Sequence, residues 1–135
     1  MNSKDILDHL NNLQPYCLVT TVRGGSEFLQ SLLENHPQVC TFNTNFRFFW
    51  EYLPSSKTWD YDNTNISDFI DEFVGLEIHR FHTRYFKEER QDQLGPNCNQ
   101  SLNINLNDFK NHFMIIMDNN KITKRSIFLS LYGAY

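Results

Sequence analysis

Between residues 16 and 33 the hydrophobic period of the chain changes across a pair of glycines. Tyr16, Cys17, Leu18, Val19, Thr20 and Thr21 form one short apolar run rich in β-formers, the pattern of a buried strand. After Gly24-Gly25, Phe28, Leu29, Leu32 and Leu33 recur at helical spacing. Ser26 stands where a cap is wanted, and His36-Pro37 stops the helix. The unit reads as strand, glycine turn, helix. Val39, Cys40, Thr41 and Phe42 then have the length and branching of a second buried strand, at the interval of an α/β crossover. The expectation is an α/β fold that opens on a short parallel sheet.

The remainder reads mostly as helix. Ile6, Leu7, Leu10 and Leu13 mark an amphipathic helix over residues 3 to 13, with Ser3 as its N-cap and Pro15 as its stop. Phe46, Phe48, Phe49, Trp50 and Tyr52 suit a short helix stopped at Pro54; dense aromatics of this kind more often fill a core than line a cleft or stack on an adenine. Residues 55 to 65 read as a loop. Ile66, Phe69, Ile70, Phe73 and Val74 define a helix from about Ser67, running through Gly75 toward Phe81 or Phe86. Residues 91 to 100, with Gly95-Pro96, form a loop. Leu102, Ile104 and Leu106 alternate with asparagines, as in an edge strand or an extended asparagine-rich loop. Phe109, Phe113, Ile116 and Met117 mark a helix from Asn107 or Asp108, ended by Asp118-Asn119-Asn120. Thr123 caps a last helix carrying Ile127, Phe128, Leu131 and Tyr132. The C-terminal half is therefore helix-rich, and 135 residues without repeat or linker allow a single domain.

Twelve Lys+Arg against sixteen Asp+Glu leave a net charge of −4, without the basic excess of a nucleic-acid binder. Any anion site must be local. Cys17, Cys40 and Cys98 are odd in number and lack CxxC spacing, which indicates reduced thiols rather than a disulfide framework or a cysteine zinc site. Asp5, Asp8 and His9 interrupt the apolar stretch a signal peptide would need, and no run of eighteen apolar residues occurs. The expectation is a soluble, cytoplasmic protein without a membrane partner.

A strand, glycines and a capped helix bring several backbone N–H groups to one point, at the positive end of a helix dipole. In Val22-Arg23-Gly24-Gly25-Ser26-Glu27 the glycines permit close approach, Ser26 offers a hydroxyl and Arg23 can fork onto anionic oxygens. The competing reading is a plain strand-to-helix turn. A Walker A loop is absent, since GxxxxGK[ST] does not occur; another P-loop nucleotide enzyme would also need an acidic Mg²⁺ ligand.

The run Arg23-Gly24-Gly25-Ser26-Glu27-Phe28-Leu29-Gln30-Ser31-Leu32-Leu33-Glu34-Asn35-His36-Pro37-Gln38-Val39 resembles the opening of sulfotransferases. That family shows R-S-G-[ST]-T-L-L-x-x-L-L-x-x-H-P or K-G-G-T-x-x-L-x-x-x-L-x-x-H-P there, and the glycines, hydroxyl residue, leucine pairs and His-Pro fall in register. The likeness spans residues 16 to 53, and residues 109 to 135, with Thr123-Lys124-Arg125, are similar to a helical region of bacterial relatives. It implies a P-loop-like α/β fold that takes 3′-phosphoadenosine-5′-phosphosulfate (PAPS) and moves its sulfuryl group to a hydroxyl or amine acceptor, without a metal. By that resemblance Arg23, Gly24, Gly25, Ser26 and Glu27 surround the 5′-phosphosulfate. Arg23 is the catalytic group, stabilising charge that grows on the 5′-phosphate oxygen.

The chain departs from the family in three places. Glu27 puts a carboxylate where relatives carry Thr or a basic residue. Asn43, Thr44 and Asn45 occupy the positions of the general-base carboxylate, with Glu51 and His36 nearby in sequence. No segment matches the Arg and Ser that hold the 3′-phosphate. The resemblance thus implies one truncated domain, residues 1–135, carrying the 5′-phosphosulfate half and inactive alone. The alternative is a non-enzymatic anion-binding or protein-interaction module of the same origin, its apolar surface covered by a partner or by self-association.

Three further groups carry a functional and a plain reading. His79 and His82, three apart on the expected helix, invite a metal with His112, though a solvated basic stretch explains them as well. Residues 79 to 90 could meet an anionic acceptor or form an ordinary charged helix. Cys40 reads as a buried strand cysteine.

Overall fold

The computed structural model describes residues 3–16, 24–33, 36, 38–42, 65–82, 97, 99–118 and 120–135. Among them are α1 (Ser3–Asn11), α2 (Ser26–Leu33), α3 (Ile66–Leu76), a 3-10 turn (Ile78–Arg80), α4 (Leu106–Met117) and α5 (Lys124–Ala134). Short polar residues start the last three helices. The Asn65 side chain accepts from Ser67 N at 3.0 Å, and the Asn105 side chain accepts from Asn107 N at 3.0 Å and Asp108 N at 3.3 Å. At α5 a capping box forms with serine in the reciprocal position: Ser126 N donates to Thr123 Oγ1 at 3.0 Å, and Thr123 N to Ser126 Oγ at 2.9 Å. Thr123→Ala should therefore lower the unfolding free energy by about 1 kcal/mol, read from the urea midpoint.

Each of these helices buries one stripe: Phe69, Ile70, Phe73 and Val74 on α3, Phe109, Phe113, Ile116 and Met117 on α4, and Ile127 and Leu131 among others on α5. Spacings of three and four residues put each set on one face. α4 packs on α5, α1 sits against both, and α3 lies on α4. Gly133 lets α1 approach α5, since a Cβ there would lie 2.6 Å from Leu10 Cδ1. Arg125 ties the end of α1 to α5, donating through Nε to Asn11 Oδ1 at 2.9 Å and through Nη2 to Asn11 O at 3.2 Å. At the centre, Phe42, Phe73, Phe81, Phe109 and Phe113 are buried almost completely.

The expected α/β fold with a short parallel sheet is corrected by this arrangement. Among the described residues there is no strand; an isolated antiparallel bridge pairs His82 with Asn103. Residues 39–42 form no ladder, and the physical cause is visible in their neighbours. The Phe42 ring enters the aromatic core, its carbonyl accepts from the Gln30 side chain at 2.9 Å, and Val39 and Cys40 remain exposed. The first expected strand lies, apart from Tyr16, outside the described residues, as does the aromatic cluster at residues 46–52. Leu102 and Ile104 alternate as expected, and between them Asn103 forms an isolated bridge rather than a strand, with Ile104 N donating to Phe81 O at 3.0 Å. The helix expected to reach Phe81 or Phe86 ends as α3 at Leu76, where Glu77 caps it and the chain tightens into the 3-10 turn.

Candidate functional site

Gly25 has φ +72°, a left-handed conformation that residues with a Cβ adopt at a cost. Its carbonyl accepts the first bond of α2, from Leu29 N at 3.0 Å, so Gly25 is the N-cap and Ser26 the first helical residue, where the sequence suggested Ser26 as the cap. The first-turn N–H groups of α2 thus open onto a glycine turn whose residues, Gly24 and Gly25, are exposed. A Cβ at Gly25 would meet nothing within 4 Å. An anion could approach the backbone there, with the helix dipole in its favour. Arg23 lies outside the described residues, as do the side chains of Ser26 and Glu27 and all of Asn43, Thr44, Asn45 and Glu51.

Two alanine substitutions separate backbone conformation from space. Gly75, inside α3, also has open space around a Cβ, but at a helical conformation. Gly75→Ala is expected to stabilise the chain by about 0.5–1 kcal/mol, and Gly25→Ala to destabilise it by about 1–2 kcal/mol, both read by thermal unfolding.

The sequence grouped Phe28, Leu29, Leu32 and Leu33 as one apolar face, and the structure leaves that face exposed, 70% at Phe28 and 60% at Leu32. It is Gln30, on the other flank of α2, that reaches the core segment at Phe42. Beyond α2 the chain turns back through His36: His36 N donates to Leu33 O at 3.0 Å, Val39 N to His36 O at 3.0 Å, and Gln38 N to His36 Nδ1 at 3.2 Å. His36, weighed as a general base, thus has one ring nitrogen engaged in the turn.

The second polar cluster is one that sequence reasoning passed over. Glu77 and Arg80 are only 4% and 3% exposed, and Arg80 Nε donates to Glu77 Oε2. His79 Nε2 stands 3.5 Å from the same oxygen, and the Arg80 carbonyl accepts from Tyr135 Oη at 3.1 Å. Burial holds the His79 imidazole below its ordinary range; Arg80 acts in the same direction and Glu77 opposes both. The i, i+3 spacing of Glu77 and Arg80 was the available signal. Arg80, read as part of a solvated basic stretch, is instead buried, and residues 83–90 of that stretch lie outside the described residues.

The histidines expected on one helix occupy different settings: His79 in the 3-10 turn, His82 in the bridge to Asn103, and His112 exposed on α4. Among the described residues, no group of three His, Cys, Asp or Glu could hold a metal ion. Cys40, expected as a buried strand cysteine, is an exposed residue outside any strand, and desolvation raises its thiol above the usual value. That lowers its nucleophilic fraction.

No family model matches the chain, and no curated protein or solved structure matches it either. Among the described residues no helix is long and apolar enough to cross a membrane.

Proposed function

We propose that the glycine turn at residues 23–27 is an anion site of the sulfuryl-transfer type, taking the 5′-phosphosulfate of PAPS. The observation that carries this reading is Gly25, left-handed and exposed, as the N-cap of a helix that starts at Ser26. It lies within the run, residues 23–39, that resembles the opening of sulfotransferases. The reading rests on the turn and the motif, and needs no sheet among the described residues.

In such a transfer an acceptor hydroxyl or amine attacks sulfur and gives up its proton to solvent or a base outside the described residues, the bond from sulfur to the 5′-phosphate oxygen breaks, and negative charge grows on that oxygen. A guanidinium and helix N–H groups fixed beside it stabilise the transition state more than the ground state. Arg23 takes that role, and Gly24, Gly25, Ser26 and Glu27 shape the cradle. No residue here is assigned as the base or as a 3′-phosphate contact, so the chain alone should bind nucleotide without turnover.

Calorimetric titration with 3′-phosphoadenosine-5′-phosphate (PAP) tests the assignment. Arg23→Ala should weaken binding at least tenfold while leaving the circular dichroism unchanged, as expected for loss of a charged hydrogen-bonding group. Equal affinity in the variant would remove Arg23 from the site.

A second reading, a non-enzymatic interaction module, is favoured by the exposed apolar face of α2. Under it, Phe28→Ser with Leu32→Ser would abolish association of the chain with itself or a partner, and PAP would give no heat.

A further inference from the structure

We infer that Gln30 is a positioning residue of the glycine turn, setting the orientation of α2 through the carbonyl of Phe42. This inference rests on the reading of that turn as an anion site. Gln30 lies five residues after Gly25, about 7.5 Å along the helix, so whatever fixes its direction also fixes where the first turn of α2 points.

Three observations carry it. The Gln30 carboxamide donates to Phe42 O at 2.9 Å in a partly buried setting. Phe42 is itself a fixed point, 1% exposed, with its ring 4.3 Å from that of Tyr135 and 4.8 Å from that of Tyr132, centroid to centroid. Phe28, Leu29, Leu32 and Leu33 of α2 are exposed, and among the described residues the main helix contacts are those joining α1, α3, α4 and α5. A hydrogen bond is directional where apolar contact is not, so this one can hold the rotation of α2 about its axis. An anion cradle built from backbone N–H groups needs that rotation held closely, because small displacements misaim every donor together.

The chemistry at position 30 is specific. Thr41 Oγ1 also donates to Phe42 O, at 2.8 Å, so the carbonyl is occupied as an acceptor from two sides. Position 30 must therefore present a donor. Methionine keeps the length and helix preference and removes the donor. Glutamate presents a carboxylate to the carbonyl at neutral pH and regains a donor only when protonated.

Gln30→Met and Gln30→Glu in the full chain test this, with PAP as the probe and amide hydrogen exchange of residues 29–33, whose N–H groups bond within α2, as a ligand-free readout. Both variants should bind PAP three- to tenfold more weakly at pH 7.5. Exchange at residues 29–33 should accelerate by a similar factor while α4 and α5 keep their protection. The deficit of Gln30→Glu against wild type at the same pH should shrink at pH 5, whereas that of Gln30→Met should not. Unchanged exchange at residues 29–33 in both variants overturns the inference, as does a loss of affinity that merely follows the melting temperature. If wild type does not bind PAP, the anion-site reading fails; the exchange result still decides whether Gln30 sets the turn.

Discussion

Replacing Phe81 with alanine is expected to lower the unfolding free energy by about 3–5 kcal/mol. Phe81 is fully buried, and its ring lies 4.6 Å from that of Phe109, 5.9 Å from Tyr135, and 6.4 Å from both Phe42 and Phe73. Its carbonyl also accepts from Ile104 N, so one residue joins the 3-10 turn, the segment before α4 and the aromatic centre. Alanine would leave a cavity bounded by four other rings, which cannot all move inward without giving up contacts of their own. Phe28→Ala is the matched control: the same atoms are deleted where the side chain is mostly in water, and the expected change is within about 0.5 kcal/mol. Urea titrations of the two variants measure the contrast. Similar losses at both positions would contradict the placement of the core.

Removing Glu77 should be nearly as severe. Glu77→Ala deletes the carboxylate that accepts from Arg80 in a setting where both groups are buried, and leaves the guanidinium to bear its desolvation without it. The expected cost is about 3–5 kcal/mol. Glu77→Leu combined with Arg80→Met should recover most of it, because two apolar groups of similar size carry no such debt. His79 adds a pH signature. Its native-state imidazole is held below 6.5, so the native chain disfavours the proton that the unfolded chain accepts. The stability this contributes is present above pH 6.5 and is lost as pH falls through that value toward the depressed native one. Glu77→Ala removes the one influence that raises the His79 value. The fall between pH 7.5 and pH 5.5 should therefore be steeper in the variant, as urea midpoints at the two values would show.

The helices were legible because their signals are local. Periodic apolar positions and short polar caps place α4, α5 and the start of α3 within one or two residues of where the structure has them, and Asp118 does end α4, whereas α3 stops at Leu76, short of the expected Phe81 or Phe86. The expected sheet was a non-local claim built on local composition. A run such as Val39-Cys40-Thr41-Phe42 has strand-like residues, but pairing depends on what else can use its backbone and side chains. Here the Phe42 ring is buried among aromatic rings, and its carbonyl accepts from Gln30. At the candidate site, Gly25 was readable because a left-handed turn before a helix favours glycine. Gln30 was not, since a glutamine on a helix flank carries no signal until its partner is placed. Glu77 and Arg80 had the spacing of a pair, but only the fold determines that the pair is buried.

The central claim, that the turn before α2 is a site for the 5′ end of a phosphosulfate nucleotide, is tested most directly by calorimetric titration of the whole 135-residue chain with PAP. Adenosine serves as the control that lacks the phosphates. Saturable binding in the micromolar range or tighter is expected, weakening as salt is added, with no comparable signal from adenosine. A chain shown by circular dichroism to be folded that gives no heat with PAP, or binds adenosine equally well, would contradict it.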